Sequence, residues 1–401
     1  MKNILITGLL LVVFQTARAF AEVDVGAGVT DLNGGEKLSC RYVNESVFCT
    51  RSDGSAFTGV AKKEYGSGML MWLIQFAEGK QNGEYKVYSE QAKLLTEGIY
   101  RHGQKNGIIK NYYPSGKLQS EEKYKHGELN GAKRTYYENG QLQTEGYFVD
   151  GLLEGTLKAY YPNGNLSLEC DFRNNQKYGD NKVYAENGVL KEQNSWKNNQ
   201  KDGLEILYDT EGRKKTEQTW KSGLLHDKSL QYYPNGQVKN STSWVDGAEN
   251  GENMLYYENG RPQIVGTKIN GNWQGVVKVY DEQGHLIEES PYQNGVRSGS
   301  KREYYPNGKL RLSANFENGK QNGITTAYYE NGMVKSETTF VDDKMEGLTR
   351  LYYENGVMAA ESNWKNGVKD GVTKQYTSEG DLIVEELFKN GVSFGKKAGG
   401  F

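Results

Sequence analysis

The chain of 401 residues has little of what usually carries chemistry or rigidity: 3 Cys, 4 His and 6 Pro. So few cysteines exclude a disulfide-dense secreted scaffold, and so few prolines exclude a Pro-rich linker chain. Past the first residues no stretch is long and apolar enough to cross a bilayer as a helix, which excludes a multi-span membrane protein. Neither sign of charge dominates. The 49 Lys and Arg and the 51 Asp and Glu are mixed along the chain with no basic block, so no nucleic acid is expected as a partner. Apolar residues make up 36% and the mean hydropathy is −0.78. That argues against a large two-sided aliphatic core and, taken alone, leans toward disorder.

Two residue types are abundant instead, with 50 Gly and 29 Tyr. The glycine of a Tyr-Tyr-x-Asn-Gly phrase recurs at Gly116, Gly140, Gly164, Gly188 and onward to Gly380, always 24 residues apart. The first Tyr of the phrase keeps this register from Tyr88 to Tyr376. A second aromatic series runs from Phe76 through Tyr124, Trp196 and Phe316 to Phe388, interrupted only by Lys268. A second glycine turn follows it, as in Gly103-Gln104-Lys105-Asn106-Gly107. A period of this size marks a stack of small supersecondary units. Asn-Gly tolerates positive φ and closes tight turns. Two such turns per repeat leave no room for helices. The expected fold is all-β: an elongated antiparallel β-hairpin repeat array, a meander with solenoid-like, nearest-neighbour stability.

Alternation along a strand assigns the faces. With Tyr112 opposite Leu118, the residues Ile108, Lys110 and Tyr112 share a face with Leu118, Ser120, Glu122 and Tyr124. Both aromatic series then line one packed face. Gln119, Glu121, Lys123 and equivalents such as Glu145, Glu217 and Glu337 fall on a solvated face, made partly apolar by Val183, Leu207, Leu255, Val279 and Leu351. An open aromatic face of that length exceeds what soluble monomers expose, so twist must curl it or a partner must cover it. The first Tyr, which does not vary, is assigned to the core. The second Tyr gives way to Ala185, Asp209, Asp281 and Thr377 in some units. It is therefore the candidate exposed aromatic binding surface: Tyr113, Tyr137, Tyr161, Tyr233, Tyr257, Tyr305, Tyr329 and Tyr353.

Four segments follow. Residues 1–21 read as a signal peptide, with Lys2, the apolar run Ile4 to Phe14, and small residues suited to cleavage after Ala21 or after Ala19. Residues 22–58 form an N-terminal cap segment, 59–395 an array of about 14 repeats, and 396–401 a frayed C-terminal tail, with Phe394 able to pack on the last strand. An exported chain meets an oxidising compartment, so Cys40 and Cys49 are a candidate disulfide. Closing a loop of ~10 residues contributes roughly 2.5–3 kcal/mol in the chain-entropy account. Cys170 reads as a small packing residue.

No constellation for catalysis appears, and no catalytic, cofactor-binding or metal residues are assigned. His102 and His126 occupy the same turn one repeat apart and read as solvated turn residues, since two ligands make a poor metal site. Paired glutamates such as Glu121-Glu122 recur with the repeat and read as surface.

Phrases such as Tyr136-Tyr137-Glu138-Asn139-Gly140-Gln141-Leu142-Gln143-Thr144-Glu145-Gly146 resemble the bacterial variant of the MORN repeat, which also occurs in YwqK-type antitoxin-like proteins. The resemblance covers residues 59–395 and implies a hairpin array with an interaction role. The function expected is that of a non-enzymatic exported scaffold binding a protein partner in the periplasm, the cell envelope or outside the cell. Two alternatives stand: an antitoxin- or immunity-like protein neutralising a toxin, and a glycan-binding module using exposed Tyr with Trp196, Trp220 and Trp244. The chain is not expected to be transmembrane. Peripheral membrane or glycan contact stays open.

Overall fold

The computed structural model describes residues 26–43 and 46–398. The expected signal peptide lies outside the described residues. The chain divides into two compact units, 1–188 and 189–401. Among the described residues every element is a strand or a turn; from Gly59 onward successive strands within each unit pair antiparallel as a meander, while ahead of the repeats Thr30–Asp31 pairs with Gly59–Glu64 and Phe48 with Lys80, out of chain order.

Two kinds of turn alternate, and each explains its residues. In the first, Tyr137 N donates to Gln141 O at 2.8 Å and Gly140 N donates to Tyr137 O at 2.8 Å. This is a three-residue loop closed by a glycine at φ 90°. Asn139 Oδ1 accepts from Gln141 N at 2.9 Å, which is why Asn precedes the glycine. The second turn is a two-residue loop such as Asp150-Gly151, with φ 46° and 78°. Both central residues sit in the left-handed region, as type I′ hairpins require. Asn, Asp and His therefore fill most of the first positions, including His102 and His126, with Glu78 and Ser222 as exceptions.

Each full repeat also holds two bulges. Leu118 does sit opposite Tyr112, but the next partners are Ser120 and Asn111, so Gln119 is the extra residue. On the other side Glu122 pairs with Lys133 while Tyr124 pairs with Leu129, and the slack falls around Gly131 at φ 126°. A bulge shifts the alternation of one strand against its partner.

The first bulge overturns the face assignment for half of each hairpin. Ile109, Ser120 and Glu122 are buried, whereas Ile108 is 51% exposed. Val183, expected on the solvated face, packs instead against the apolar cluster that holds Phe148 and Phe172. The first Tyr series lies on the charged face: Tyr112 Oη donates to Glu97 at 2.6 Å, and Tyr304 Oη to Glu289 at 2.8 Å. Only the second aromatic series lines the packed face.

The core is uneven. In the first unit Phe57, Ala61, Trp72, Ile74, Phe76, Tyr85 and Ile109 form one cluster, and Phe148, Leu153, Leu157, Cys170 and Phe172 a second. In the second unit the buried hydrophobic residues among those described are Ile206, Val277 and Ala314. Ahead of the repeats, Ser39–Val43 and Ser46–Thr50 form a hairpin with a disulfide between Cys40 and Cys49, Cα atoms 4.1 Å apart. This hairpin is tied to the first repeats by Cys49 N donating to Gly79 O at 2.8 Å and Ser46 Oγ to Gly103 O at 2.8 Å. At the far end the strand Val392–Ala398 is exposed at every residue and Phe394 is 67% exposed, so it does not fold back. Lys396 and Lys397 extend this strand opposite Glu386 and Glu385, where fraying was expected.

Candidate interaction surface

The eight second tyrosines are not open. Each is half-buried, and its hydroxyl donates to the backbone carbonyl of the first Tyr in the following repeat. Tyr113 reaches Tyr136 at 2.7 Å, Tyr137 reaches Tyr160 at 2.8 Å and Tyr161 reaches Tyr184 at 2.9 Å. Tyr233 reaches Tyr256 and Tyr257 reaches Tyr280, both at 2.8 Å. Tyr305 reaches Tyr328 at 2.7 Å, while Tyr329 and Tyr353 reach Tyr352 and Tyr376 at 2.8 Å. The position that varies in sequence is a tie between repeats. A neighbouring tie comes from the turn asparagine, as Asn139 Nδ2 donates to Pro162 O at 2.8 Å and Asn259 Nδ2 to Glu282 O at 3.0 Å. The other hairpin end is tied backward: Gly127 N donates to Lys105 O at 2.9 Å and Gly271 N to Glu249 O at 2.8 Å.

On the packed face, cations lie against the second aromatic series. Lys105 sits 5.1 Å from the Tyr124 ring centre, Lys201 5.1 Å from Trp220 and Arg297 5.1 Å from Phe316. Buried ionic clusters accompany them. Lys133 and Glu122 are 3.1 Å apart with both side chains 7% exposed. Lys201 pairs with Glu205, and Trp220 Nε1 donates to the same carboxylate at 2.9 Å. Trp196 Nε1 donates to Asn194 Oδ1 at 2.6 Å. Both of these indoles have their polar edges engaged within the fold.

Burial raises the pKa of Tyr85 and Tyr124, and pushes Tyr100 up to about 12. Burial also lifts the Cys170 thiol to about 11, and such a thiol is a poor nucleophile. His102 and His126 are exposed turn residues.

The outward face is the surface left for contact. Cross-strand Lys–Glu and Arg–Glu pairs run along it, including Arg134–Glu145 at 2.6 Å, Lys158–Glu169 at 3.4 Å and Lys278–Glu289 at 3.5 Å. Exposed apolar side chains interrupt the ionic rows: Ile108, Tyr147, Leu204, Val276 and Ile324 are 44–57% exposed. The parity rule missed this surface because it ignored the bulge at Gln119, which no glycine marks; Gly131 and its equivalents signal only the second bulge.

With this geometry in view, nine segments of the chain match the MORN repeat variant: residues 105–126, 129–150, 153–174, 177–198, 273–294, 297–318, 321–342, 345–366 and 369–390. The chain thus carries MORN-variant repeats. The stretch 199–272 falls between the matches yet keeps the same strands and turns. No curated protein is significantly similar in sequence. Among solved structures, the chain is similar to part of the Photorhabdus luminescens Tc holotoxin pore. The identity is 12% over 88% of this chain and 23% of that one, with a TM-score of 0.16. It is likewise similar to part of the TcdB2-TccC3-Cdc42 structure at 12% identity over 88% of this chain and 25% of that one, again with a TM-score of 0.16. The chain spans about a quarter of the length of these proteins, and likeness at that level carries no functional argument.

Proposed function

We propose that this protein is an exported, non-enzymatic scaffold that binds a protein partner in the cell envelope or outside the cell. The observation that carries the reading is the outward face, where exposed Ile, Leu, Val and Tyr recur within rows of paired charges on a MORN-variant hairpin array. Mixed apolar and polar surface of this kind suits specific protein contact. The signal-like first residues supply the address. The test is capture from the native envelope fraction with the mature chain carrying a photocrosslinker at Ile324. A single discrete adduct, lost in Ile324→Asp and Val276→Asp variants, is the expected outcome. A crosslinker that yields no adduct there while the chain is demonstrably exported would overturn the reading.

A further inference from the structure

Along the middle of the outward face each repeat places Lys or Arg on one strand, as at Lys110, and Glu on the next, as at Glu121. From Lys86 to Glu385 these positions are charged apart from Ser313 and Thr326, except in one interval. There the cation positions hold Ile206, Leu230 and Met254, and the carboxylate positions hold Gln193, Ser241 and Val265, leaving Glu217 as the charge that remains. Backbone pairing sets these residues in one line across the strands, from Gln193 opposite Ile206 to Met254 opposite Val265. Lys278, opposite Val265, resumes the charged pattern. Ile206 to Val265 also falls inside 199–272, the stretch between the family matches. Every element of this unit among the described residues belongs to one sheet, so the unit supplies no second layer over the line. Leu230, Met254 and Val265 are half-buried, Ile206 is 8% exposed, and Leu204 on the same face is 44% exposed. An apolar break in a charged outward face marks a contact site.

Beside this line, toward the three-residue turns, Lys191, Lys215 and Lys239 occupy the same position in successive repeats, and all are exposed. The equivalent residues in the neighbouring repeats are neutral: Gln143 and Ser167 before, Gln263 and Ile287 after. Most carboxylates at this end are matched by other cations. Arg213 lies 2.8 Å from both Asp209 and Glu211, and Lys214 lies 2.8 Å from Glu217. Two more are exposed: Glu186 precedes the lysines, and Glu258 shares its turn with Arg261. The three lysines and the three apolar residues Ile206, Leu230 and Met254 each advance by two strands, about 10 Å, per repeat. An α-helix repeats a face every seven residues, about 10.5 Å.

We propose that this interval seats an acidic amphipathic helix of a protein partner, with the apolar face of the helix on Leu230 and Met254 and its carboxylates along Lys191, Lys215 and Lys239. The inference rests on the outward face as the contact face, and adds to it a place and a chemistry. The lysines set orientation and on-rate, and the neutral line excludes a partner that would bury unpaired charge.

Fluorescence anisotropy of the full mature chain with a labelled synthetic helix of about three heptads tests this, the helix carrying Leu on one face and Glu along its flanks. The helix should bind, and more weakly as salt rises. A helix with Lys in place of every Glu should bind at least about tenfold more weakly. The same loss is expected for a chain with Leu230→Lys and Met254→Lys, and for one with Lys191→Gln, Lys215→Gln and Lys239→Gln. These variants take residues that other repeats carry at the same positions, such as Lys278 and Gln143, and unchanged circular dichroism will verify their folding. No binding of the acidic helix, equal binding of the Lys helix, or full binding by either variant would each overturn the proposal. If that happens while the crosslinker at Ile324 still yields its adduct, the scaffold reading stands and this inference alone falls.

Discussion

At the scale of single residues, the tyrosines do two jobs that the sequence presents as one phrase. The first Tyr stands on the charged face and donates to a glutamate of the preceding repeat. The second reaches forward to the next repeat's backbone. A hydroxyl lost from such a bond leaves a carbonyl short of its partner, at about 1 kcal/mol. Tyr329→Phe should therefore lower stability by ~1 kcal/mol in denaturant unfolding without changing the secondary structure. The buried and carboxylate-paired phenols set a pH limit as well. Tyr100 is raised to about 12 by burial, and Tyr112 to about 12 by burial and then by Glu97. A raised pKa means the folded chain favours the neutral phenol. The stability this gives is complete below the ordinary tyrosine value of 10.0 and is lost as pH climbs toward 12. Thermal midpoints measured across this window should fall steadily, and Tyr112→Phe should flatten the fall.

At the scale of the hairpin, the repeat was legible and the faces were only half so. The period, the turn residues, the pairing of Tyr112 with Leu118 and the all-β class follow from glycine spacing and Asn-Gly chemistry. The parity rule failed between Tyr112 and Ser120 because a bulge of one residue there leaves no mark in composition: Gln119 looks like any strand residue. The second bulge does leave a mark, a glycine at positive φ. Gly203 is such a case: its φ is 114°, and a methyl group added there would fall 3.2 Å from Ser195 Cβ. Gly203→Ala should destabilise by more than about 1 kcal/mol, since both the backbone and the neighbour oppose it. By contrast Gly155, also at positive φ, has open space around it, so Gly155→Ala should suffer the backbone penalty alone. The second tyrosines illustrate a further limit of the sequence. Variation at Ala185 and Asp209 suggested exposure, yet the position varies because its bond is one of several ties along that edge and is dispensable in individual units.

At the scale of the whole chain, stability rests on contacts between successive repeats, and these are unevenly reinforced. The disulfide hairpin and two apolar clusters serve the first unit, while the second relies more on buried polar and ionic pairs. The strand Val392–Ala398 has a neighbour on one side, Leu382–Lys389, and no buried residue. Amide hydrogen exchange should be fastest there and slowest around Trp72 and Ile74, a gradient readable by mass spectrometry of peptic peptides. Protection of the last strand equal to that of the first cluster would contradict it. The ties between repeats have one more consequence, for how such a gene can change length. Each hydroxyl, asparagine and glycine tie finds its partner at a fixed separation along the chain, as from Tyr233 to Tyr256 or from Gly271 back to Glu249. Excising one whole period, such as residues 229–252, rejoins every tie to an equivalent partner. Excising half a period brings a two-residue turn to where a three-residue turn belongs and orphans the ties on both edges. Descendants of this chain can lengthen or shorten freely, but only by whole repeats.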